Sequence, residues 1–222
     1  MRMILAAVLV SCGLAVAPSP AWSVPADCPP FCDRIPDSAW IVPTSIPLYP
    51  VYRWPGLAGL AATAPAPRFK FEEVCASPPV ADDPRSYAVA ARAAVPNPEG
   101  QWQLQVQVMH WRGEAWREGD MALVTFQAAV TALLGCQLTS PLNSPSITTR
   151  QLDRMAAVIS GFGPGGMVLH EYLLADARSG TLVELAMWAV TPPLVDWPSV
   201  PDAEVLDAMA APLCTAYIGS CR

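Results

Sequence analysis

The chain has 222 residues, a net charge of −6 and 53% hydrophobic residues. Its 13 Lys and Arg residues form no basic run, and nucleic-acid binding needs clustered positive charge, so no nucleic-acid partner is predicted. The length suits a single domain with a substantial hydrophobic core.

The N-terminus predicts export. A short positive start, Met1–Met3, precedes an apolar run over Ile4–Ala17, and Ala21 and Ser23 are the small residues that a signal peptidase reads. The run is too short to stay as a membrane anchor, and the rest of the sequence contains no apolar stretch of spanning length. We therefore expect residues 1–23 to be a cleaved signal peptide and the mature chain to be secreted or in the cell envelope.

Cysteine usage points to the same compartment. The N-terminal apolar run has a second interpretation, in which Leu9–Cys12 is a lipoprotein signal and Cys12 is acylated. The run continues past this cysteine, which favours ordinary cleavage. The other six suggest three disulfides rather than a metal site, because no Cys-x-x-Cys pair occurs. They are Cys28, Cys32, Cys75, Cys136, Cys214 and Cys221. We expect Cys75 to pair with Cys136 and the other four to tie the termini together, and we predict no metal and no cofactor.

A proline-rich segment follows the signal. Prolines recur through residues 24–68, where they remove backbone donors and fix φ, so neither a long helix nor a central strand is expected. The aromatic residues of this segment argue against a disordered linker. We predict an extended arm that packs on the single domain formed by residues 69–222, either as a cover for the sheet or with a functional role.

Alternating residues identify a first hairpin. From Gln101 to Trp111 apolar side chains occupy the even positions and glutamines the odd ones, which predicts a strand with one buried and one solvated face. Tyr87–Ala94 is predicted to pair with it across a proline and glycine turn. Phe69–Cys75 is predicted to be a short strand or the start of a helix, and the strand is favoured.

A helix is predicted over residues 120–134, with Asp120 as its N-cap and Gly135 at its end. The glycine-rich segment 161–166 leads into a strand, so a turn is favoured over a phosphate-binding loop. Two strands are predicted between them, Ile147–Leu152 and Met155–Phe162.

A second hairpin joins Met167–Ala175 to Thr181–Thr191. A four-residue loop places Asp176 opposite Thr181. Only this register puts both glutamates of the hairpin on one face of the sheet and the richest apolar set on the other face. A last helix is predicted over residues 203–218, with a kink at Pro212.

The order of elements predicts an α+β fold. We expect an antiparallel sheet with two helices (about 120–134 and 203–218) packed on one face, preceded by the extended arm.

His110 and His170 both fall on the apolar face of their strands, so at neighbouring strand ends they would converge with Tyr172 in a polar pocket. Trp111 and Trp116 flank a charged loop and offer an aromatic surface to a ligand. These five residues are the candidate binding site, and the alternative is that each histidine is a hydrogen-bonded core residue.

Catalytic motifs are missing from the sequence. It contains no Gly-x-Ser-x-Gly and no His-Glu-x-x-His. Glu114, Glu118 and Asp120 lie beside Arg112 and Arg117, which favours solvated ion pairs over the carboxylate pair of a glycosidase. No catalytic residue is predicted.

The export signal, the Ala/Pro/Arg-rich composition and a helix that ends in Leu133-Leu134-Gly135-Cys136 before a hairpin resemble exported actinobacterial (mycobacterial-type) domains. The layout is similar to the extracellular sensor domain of PknH-type serine/threonine kinases, a disulfide-stapled α+β domain with a central cleft. The similarity covers about Tyr87 to Tyr217 and rests on the order of elements. It implies a sensor-like role and carries over no functional residue, since the kinase and transmembrane parts have no counterpart and the arm is extra.

We therefore predict an exported, non-catalytic binding or sensor-like protein whose partner is a small ligand, an envelope component or a protein. The alternative is an exported hydrolase that uses His110 and His170 with a carboxylate, which requires both imidazoles in one open cleft. A purely structural envelope protein, the third possibility, would show neither a pocket nor an apolar patch.

Overall fold

The computed structural model describes residues 34–217 and Ser220. The predicted signal peptide with Cys12, and also Cys28, Cys32 and Cys221, lie outside the described residues. What the sequence suggests for them stays a prediction.

A seven-stranded antiparallel sheet forms the centre of the fold, in the order β1-β2-β3-β7-β6-β5-β4. The strands are β1 (Ala62–Thr63), β2 (Val89–Val95), β3 (Gln103–His110), β4 (Asn143–Arg150), β5 (Arg154–Gly161), β6 (Met167–Asp176) and β7 (Thr181–Val190). Hairpins join β2 to β3 and β4 through β7 in succession, and β7 then pairs with β3 to close the order.

Helices cover both faces of this sheet. The α-helices are α1 (Tyr49–Tyr52), α2 (Lys70–Val74), α3 (Ala115–Leu134), α4 (Cys136–Thr139), α5 (Asp202–Ala210) and α6 (Leu213–Ala216). Short 3-10 helices span Asp37–Ala39, Pro43–Ser45, Ala58–Leu60 and Pro84–Tyr87. Among the described residues, no helix is both long and apolar enough to cross a membrane.

The α+β class and the antiparallel sheet are confirmed, and so is the register of the second hairpin. Asp176 lies opposite Thr181 across a four-residue loop. The loop ends at Gly180, whose φ of +58° suits glycine. A Cβ at this position would lie 2.4 Å from the Cβ of Glu118, so the glycine also lets α3 approach the hairpin.

The two long helices lie on opposite faces of the sheet, so the prediction that both pack on one face is wrong. On the α3 face, Phe126 and Leu133 of α3 pack against the sheet together with α2. On the α5 face, Leu206 and Leu213 of α5 and α6 pack against the sheet together with residues 35–57. Alternation along a strand defines two faces but does not say which segment covers each one.

The solvated face predicted for the Gln101–Trp111 strand is also wrong, because α2 and α3 cover it. Gln105 and Gln107 are buried. Gln105 Nε2 donates to Glu184 at 3.1 Å, and Gln107 Oε1 accepts from Arg92 Nε at 2.9 Å. These hydrogen bonds offset the free-energy cost of burying the amides, so the alternating glutamines belong to a polar network inside the protein.

The structure corrects two of the predicted helix boundaries and confirms two others. Within Phe69–Cys75 the helix α2 forms, so the favoured strand is wrong and the helical alternative is right. Glu72 accepts a hydrogen bond from the Phe69 backbone N–H at 2.8 Å and fixes the first turn. Helix α3 begins at Ala115, so Asp120 lies inside it and is not its N-cap. Gly135 ends α3 as predicted, and the last helix is interrupted before Leu213, where Pro212 was expected to kink it.

The predicted disulfide between Cys75 and Cys136 is present. It links the end of α2 to the start of α4, and both cysteines are fully buried in the core of the α3 face. Cys214 is disulfide-bonded as well.

Candidate ligand-binding site

His110 lies at the end of β3 among packed neighbours. Its Nδ1 is 3.1 Å from Thr181 Oγ1, and its ring stacks on Tyr217 with 4.4 Å between centroids. Burial, followed by the positive charge of Arg112, lowers the pKa of His110. These contacts are those of a hydrogen-bonded packing residue.

His170 and Tyr172 share the α5 face of β6, as predicted. The His170 ring stacks on Trp197 with 3.6 Å between centroids and meets the edge of Trp102. Burial lowers the pKa of His170 to about 4, although the nearby Asp202 carboxylate opposes this shift. Burial, and then the same carboxylate, raises the pKa of Tyr172. Aromatic rings occupy the space that a substrate would need beside the imidazole.

The structure does not bring the two histidines together, so the predicted convergence is wrong. His110 is in register with Thr181, which is opposite Asp176 on β6. His170 lies six residues before Asp176 (176 − 170 = 6), which is about 20 Å along the strand. The geometric requirement of the hydrolase alternative, two imidazoles in one open cleft, is therefore not met.

Trp111 and Trp116 also lie in different environments. Trp111 is buried and donates from Nε1 to the Pro84 carbonyl at 2.9 Å. Trp116 is 63% exposed in the first turn of α3 and donates to Glu114 at 2.9 Å. The two rings form no common binding surface. The hydrogen bond from Trp111 does hold Pro84, which lines a cavity that the sequence did not indicate.

This cavity, of about 280 Å³, lies between α3, α4 and residues 77–85. Its volume is close to the lower end of ordinary ligand pockets, about 300–1,000 Å³. Most of its lining is apolar and includes Phe69, Val80, Pro84, Val124, Ala128 and Leu138. Val80, Val124 and Leu138 are exposed, so the apolar lining extends to a mouth that is open to solvent.

The walls of the cavity are fastened to one another. The Cys75–Cys136 disulfide joins the segment before Ser77 to the start of α4. Thr139 Oγ1 donates to the Cys75 carbonyl at 2.6 Å, and Asn143 Nδ2 donates to the Val74 carbonyl at 2.7 Å. These cross-links mean that the cavity is formed in the free protein.

Two hydroxyls line this apolar cavity without a partner. Ser77 is 7% exposed and Thr125 is 3% exposed, and both side chains belong to the lining. Neither Ser77 Oγ nor Thr125 Oγ1 has a hydrogen-bond partner among the described residues. Both oxygens are themselves buried, so neither is presented to a ligand in the cavity.

Charged groups at the base of the cavity are paired with one another. Arg85 donates from both terminal nitrogens to Glu72, at 2.6 and 2.9 Å, and from Nε and Nη2 to Asp83, at 2.6 to 3.0 Å. Burial opposes the charge of Arg85, but hydrogen bonds to Glu72 and Asp83 outweigh it and raise its pKa. Burial likewise opposes the charge of Asp83, and hydrogen bonds from Arg85 outweigh it and lower the pKa of that carboxyl. Arg85 and Asp83 are therefore charged, and the one guanidinium is engaged by both Glu72 and Asp83.

A second pair of carboxyls lies deeper, under α2. Glu171 and Glu184 are fully buried on neighbouring strands of the α3 face. Glu184 accepts from the Lys70 backbone N–H and from Gln105. Burial, and then the neighbouring Glu184 charge, raises the pKa of Glu171, and burial raises the pKa of Glu184. The pair therefore retains protons that exposed glutamates would release.

These features favour binding over catalysis. The cavity offers mainly apolar surface, and Arg85 in its lining is already paired with Glu72 and Asp83. In the described part of the chain, no group of three or more His, Cys, Asp or Glu side chains is placed to hold a metal ion. Sequence reasoning missed Ser77, Thr125, Glu72 and Arg85, and the one signal that could have located them was the expected Cys75–Cys136 bond, which joins their segments.

No protein-family model, no curated protein and no solved structure matches the chain.

Proposed function

We propose that the protein is an exported, non-catalytic binding protein that holds a small, largely apolar ligand in the cavity between α3, α4 and residues 77–85. The observation that carries the proposal is the cavity of about 280 Å³ itself, whose lining is mostly apolar and opens to solvent. Ligand pockets are generally concave, largely preformed and lined mainly by apolar side chains.

Further support comes from the rigidity of the site. The disulfide and the hydrogen bonds across the walls hold the cavity open without a ligand. A preformed cavity lowers the free-energy cost of ordering the site on binding. The compartment follows from the signal peptide expected over residues 1–23, and a buried disulfide is compatible with it.

The test is the fluorescence of N-phenyl-1-naphthylamine, a neutral probe that brightens in apolar sites. We expect saturable binding of one probe per chain to the native protein. Ala128→Trp places a large ring in the lining and should abolish this binding. Leu134→Trp, on an exposed part of α3 outside the lining, is the matched control and should bind as the native protein does.

Equal binding by native protein and the Ala128→Trp variant would show that the probe sits elsewhere, and absence of saturable binding would refute the proposal. Mass spectrometry of small molecules extracted from natively recovered protein then identifies the natural ligand. Thermal unfolding of both variants shows whether a loss of binding reflects a loss of folding.

A further inference from the structure

We infer that the protein docks on a lipid membrane through the surface around the cavity mouth, and that its ligand is a lipid whose hydrocarbon chain enters the cavity there. The inference rests on the proposed function for the use of the cavity, and it names the partner and the class of ligand. It follows from the charge of this surface, its exposed apolar side chains and its position beside the mouth.

Two long stretches of the chain carry no formal charge. Residues 121–149 contain no Asp, Glu, Lys or Arg, and neither do residues 155–169. Charged side chains make up 14% of the chain and normally occupy exposed positions, so the first stretch would ordinarily hold about four of them. The two stretches form most of α3, β4 and β5, all of α4 and the turn between β5 and β6. One side of the cavity mouth is therefore a surface without formal charge.

Large apolar side chains are exposed on this surface. Val124 and Leu138 belong to the cavity mouth, and Leu138 is 89% exposed. Leu142 and Phe162 are 67% and 62% exposed, and the Phe162 backbone N–H donates to the Leu142 carbonyl at 3.0 Å. We call these four side chains the apolar patch. Exposed apolar residues are ordinary when scattered, but a patch of them marks an interaction surface.

Helix α4 joins the cavity mouth to the rest of the apolar patch. Leu138 lies in α4 and Leu142 follows four residues later, so at most about 14 Å separates their Cα atoms. Gln137 Nε2 donates to Ser144 Oγ at 3.3 Å, which holds α4 beside the start of β4. The mouth of the cavity therefore opens within the patch.

The absence of charge favours a membrane over a protein as the partner. Transient protein interfaces surround their apolar centre with a polar rim, whereas apolar side chains alone suffice to enter the acyl boundary of a bilayer. Attraction to anionic lipids requires basic clusters, which this chain of net charge −6 does not contain. A bilayer of zwitterionic lipid is therefore the partner that fits.

The cavity fits the hydrocarbon chain of such a lipid. Its lining is mostly apolar, and its mouth lies in the surface that would meet the bilayer. A methylene group has roughly the volume of one water, ~30 Å³, so about 280 Å³ holds a chain of about eight to ten carbons. The polar head of the lipid would stay outside the mouth.

Flotation with phosphatidylcholine vesicles tests the docking surface. We expect the native protein to float with the vesicles equally at low and high salt, because apolar contacts are not screened. Leu142→Asp combined with Phe162→Asp should lower the bound fraction about tenfold, since both charges would have to be desolvated. Leu152→Asp is the matched control and should float as the native protein does, because Leu152 is equally exposed but lies at the opposite end of β4.

Displacement of N-phenyl-1-naphthylamine by monoacylglycerols of increasing chain length, below their micelle concentrations, tests the ligand class. Affinity should rise about fourfold with each methylene and level off near ten carbons, where the cavity is full. Leu142 and Phe162 lie outside the lining, so the double aspartate variant should bind the probe and the monoacylglycerols as the native protein does.

Three results would overturn the inference: a native protein that does not float, a double aspartate variant that floats as well as the native protein, or monoacylglycerols that do not displace the probe. A native dimer that the double aspartate variant loses in sedimentation would assign the patch to a second copy of the chain instead. If the probe still binds and Ala128→Trp still abolishes that binding, the proposed function stands in each of these cases. If the probe does not bind at all, the proposed function and the lipid ligand fail together. Circular dichroism confirms that the variants are folded.

Discussion

Replacing Cys75 and Cys136 together by alanine should destabilise the protein by about 4 kcal/mol. The bond closes a loop with a sequence separation of 61. The chain-entropy relation gives about 14 cal/mol/K for a loop of this length, which is about 4 kcal/mol at 25 °C. That is a large part of the roughly 5–15 kcal/mol by which a domain is normally stable.

Urea unfolding followed by tryptophan fluorescence measures this change. With a denaturant slope of roughly 1–3 kcal/mol/M, the midpoint should fall by about 1.5–4 M. Thr139→Val is the matched control, because it keeps the disulfide, removes only the hydroxyl that donates to the Cys75 and Cys136 carbonyls, and should cost about 1 kcal/mol. A loss below about 1 kcal/mol in the double alanine variant would refute the loop-closure reasoning.

Three further results are expected from the buried charges and rings. The native protein should lose stability as pH rises above the usual Glu range, because the folded state keeps protons that the unfolded chain releases. Glu171→Gln removes one of these protons and should lower the dependence of stability on pH by about 1.4 kcal/mol per pH unit. Equal pH slopes for the two proteins in urea titrations would contradict this. Arg85→Met removes the cationic partner of buried Glu72 and of half-buried Asp83, and it should cost about 3–5 kcal/mol in thermal or urea unfolding. The exposed Arg178→Met should change stability by no more than about 0.5 kcal/mol. NMR titration should place the pKa of His170 at about 4. Trp197→Ala uncovers the imidazole and should raise this pKa. An unchanged pKa in the variant would show that stacking on Trp197 does not cause the burial of His170.

Pairing within the two hairpins was predictable from the sequence because it depends on local patterns, whereas the long-range pairing of β3 with β7 was not. The alternation over Gln101–Trp111 and the four-residue loop before Thr181 define hairpins whose partners are close in sequence. Which segment packs on each face of the sheet was not predictable from those patterns. Helices α3 and α5 are similarly amphipathic, and nothing in either sequence says which face of the sheet it meets.

The candidate site was harder to predict because its parts come from distant segments. Val124 and Leu138 are ordinary residues in sequence, and they become part of a site only because α3, α4 and residues 77–85 meet around the cavity. The histidines drew attention through their chemistry, yet His110 and His170 are held in aromatic packing. Rarity of a residue type in the sequence was therefore a poorer guide to the site than the tertiary packing of common residues.

The first turn of α2 connects the cavity to the buried carboxyls of the sheet. The Phe69 backbone N–H donates to Glu72, which also accepts from Arg85 at the base of the cavity. The next backbone N–H, that of Lys70, donates to Glu184 in β7. Any displacement of this turn would break hydrogen bonds to buried carboxyls, which cost more to leave unpaired than the contacts of a small apolar ligand could supply. The cavity wall is therefore fixed before the ligand arrives, and differences in affinity between ligands should report their fit rather than rearrangement of the protein.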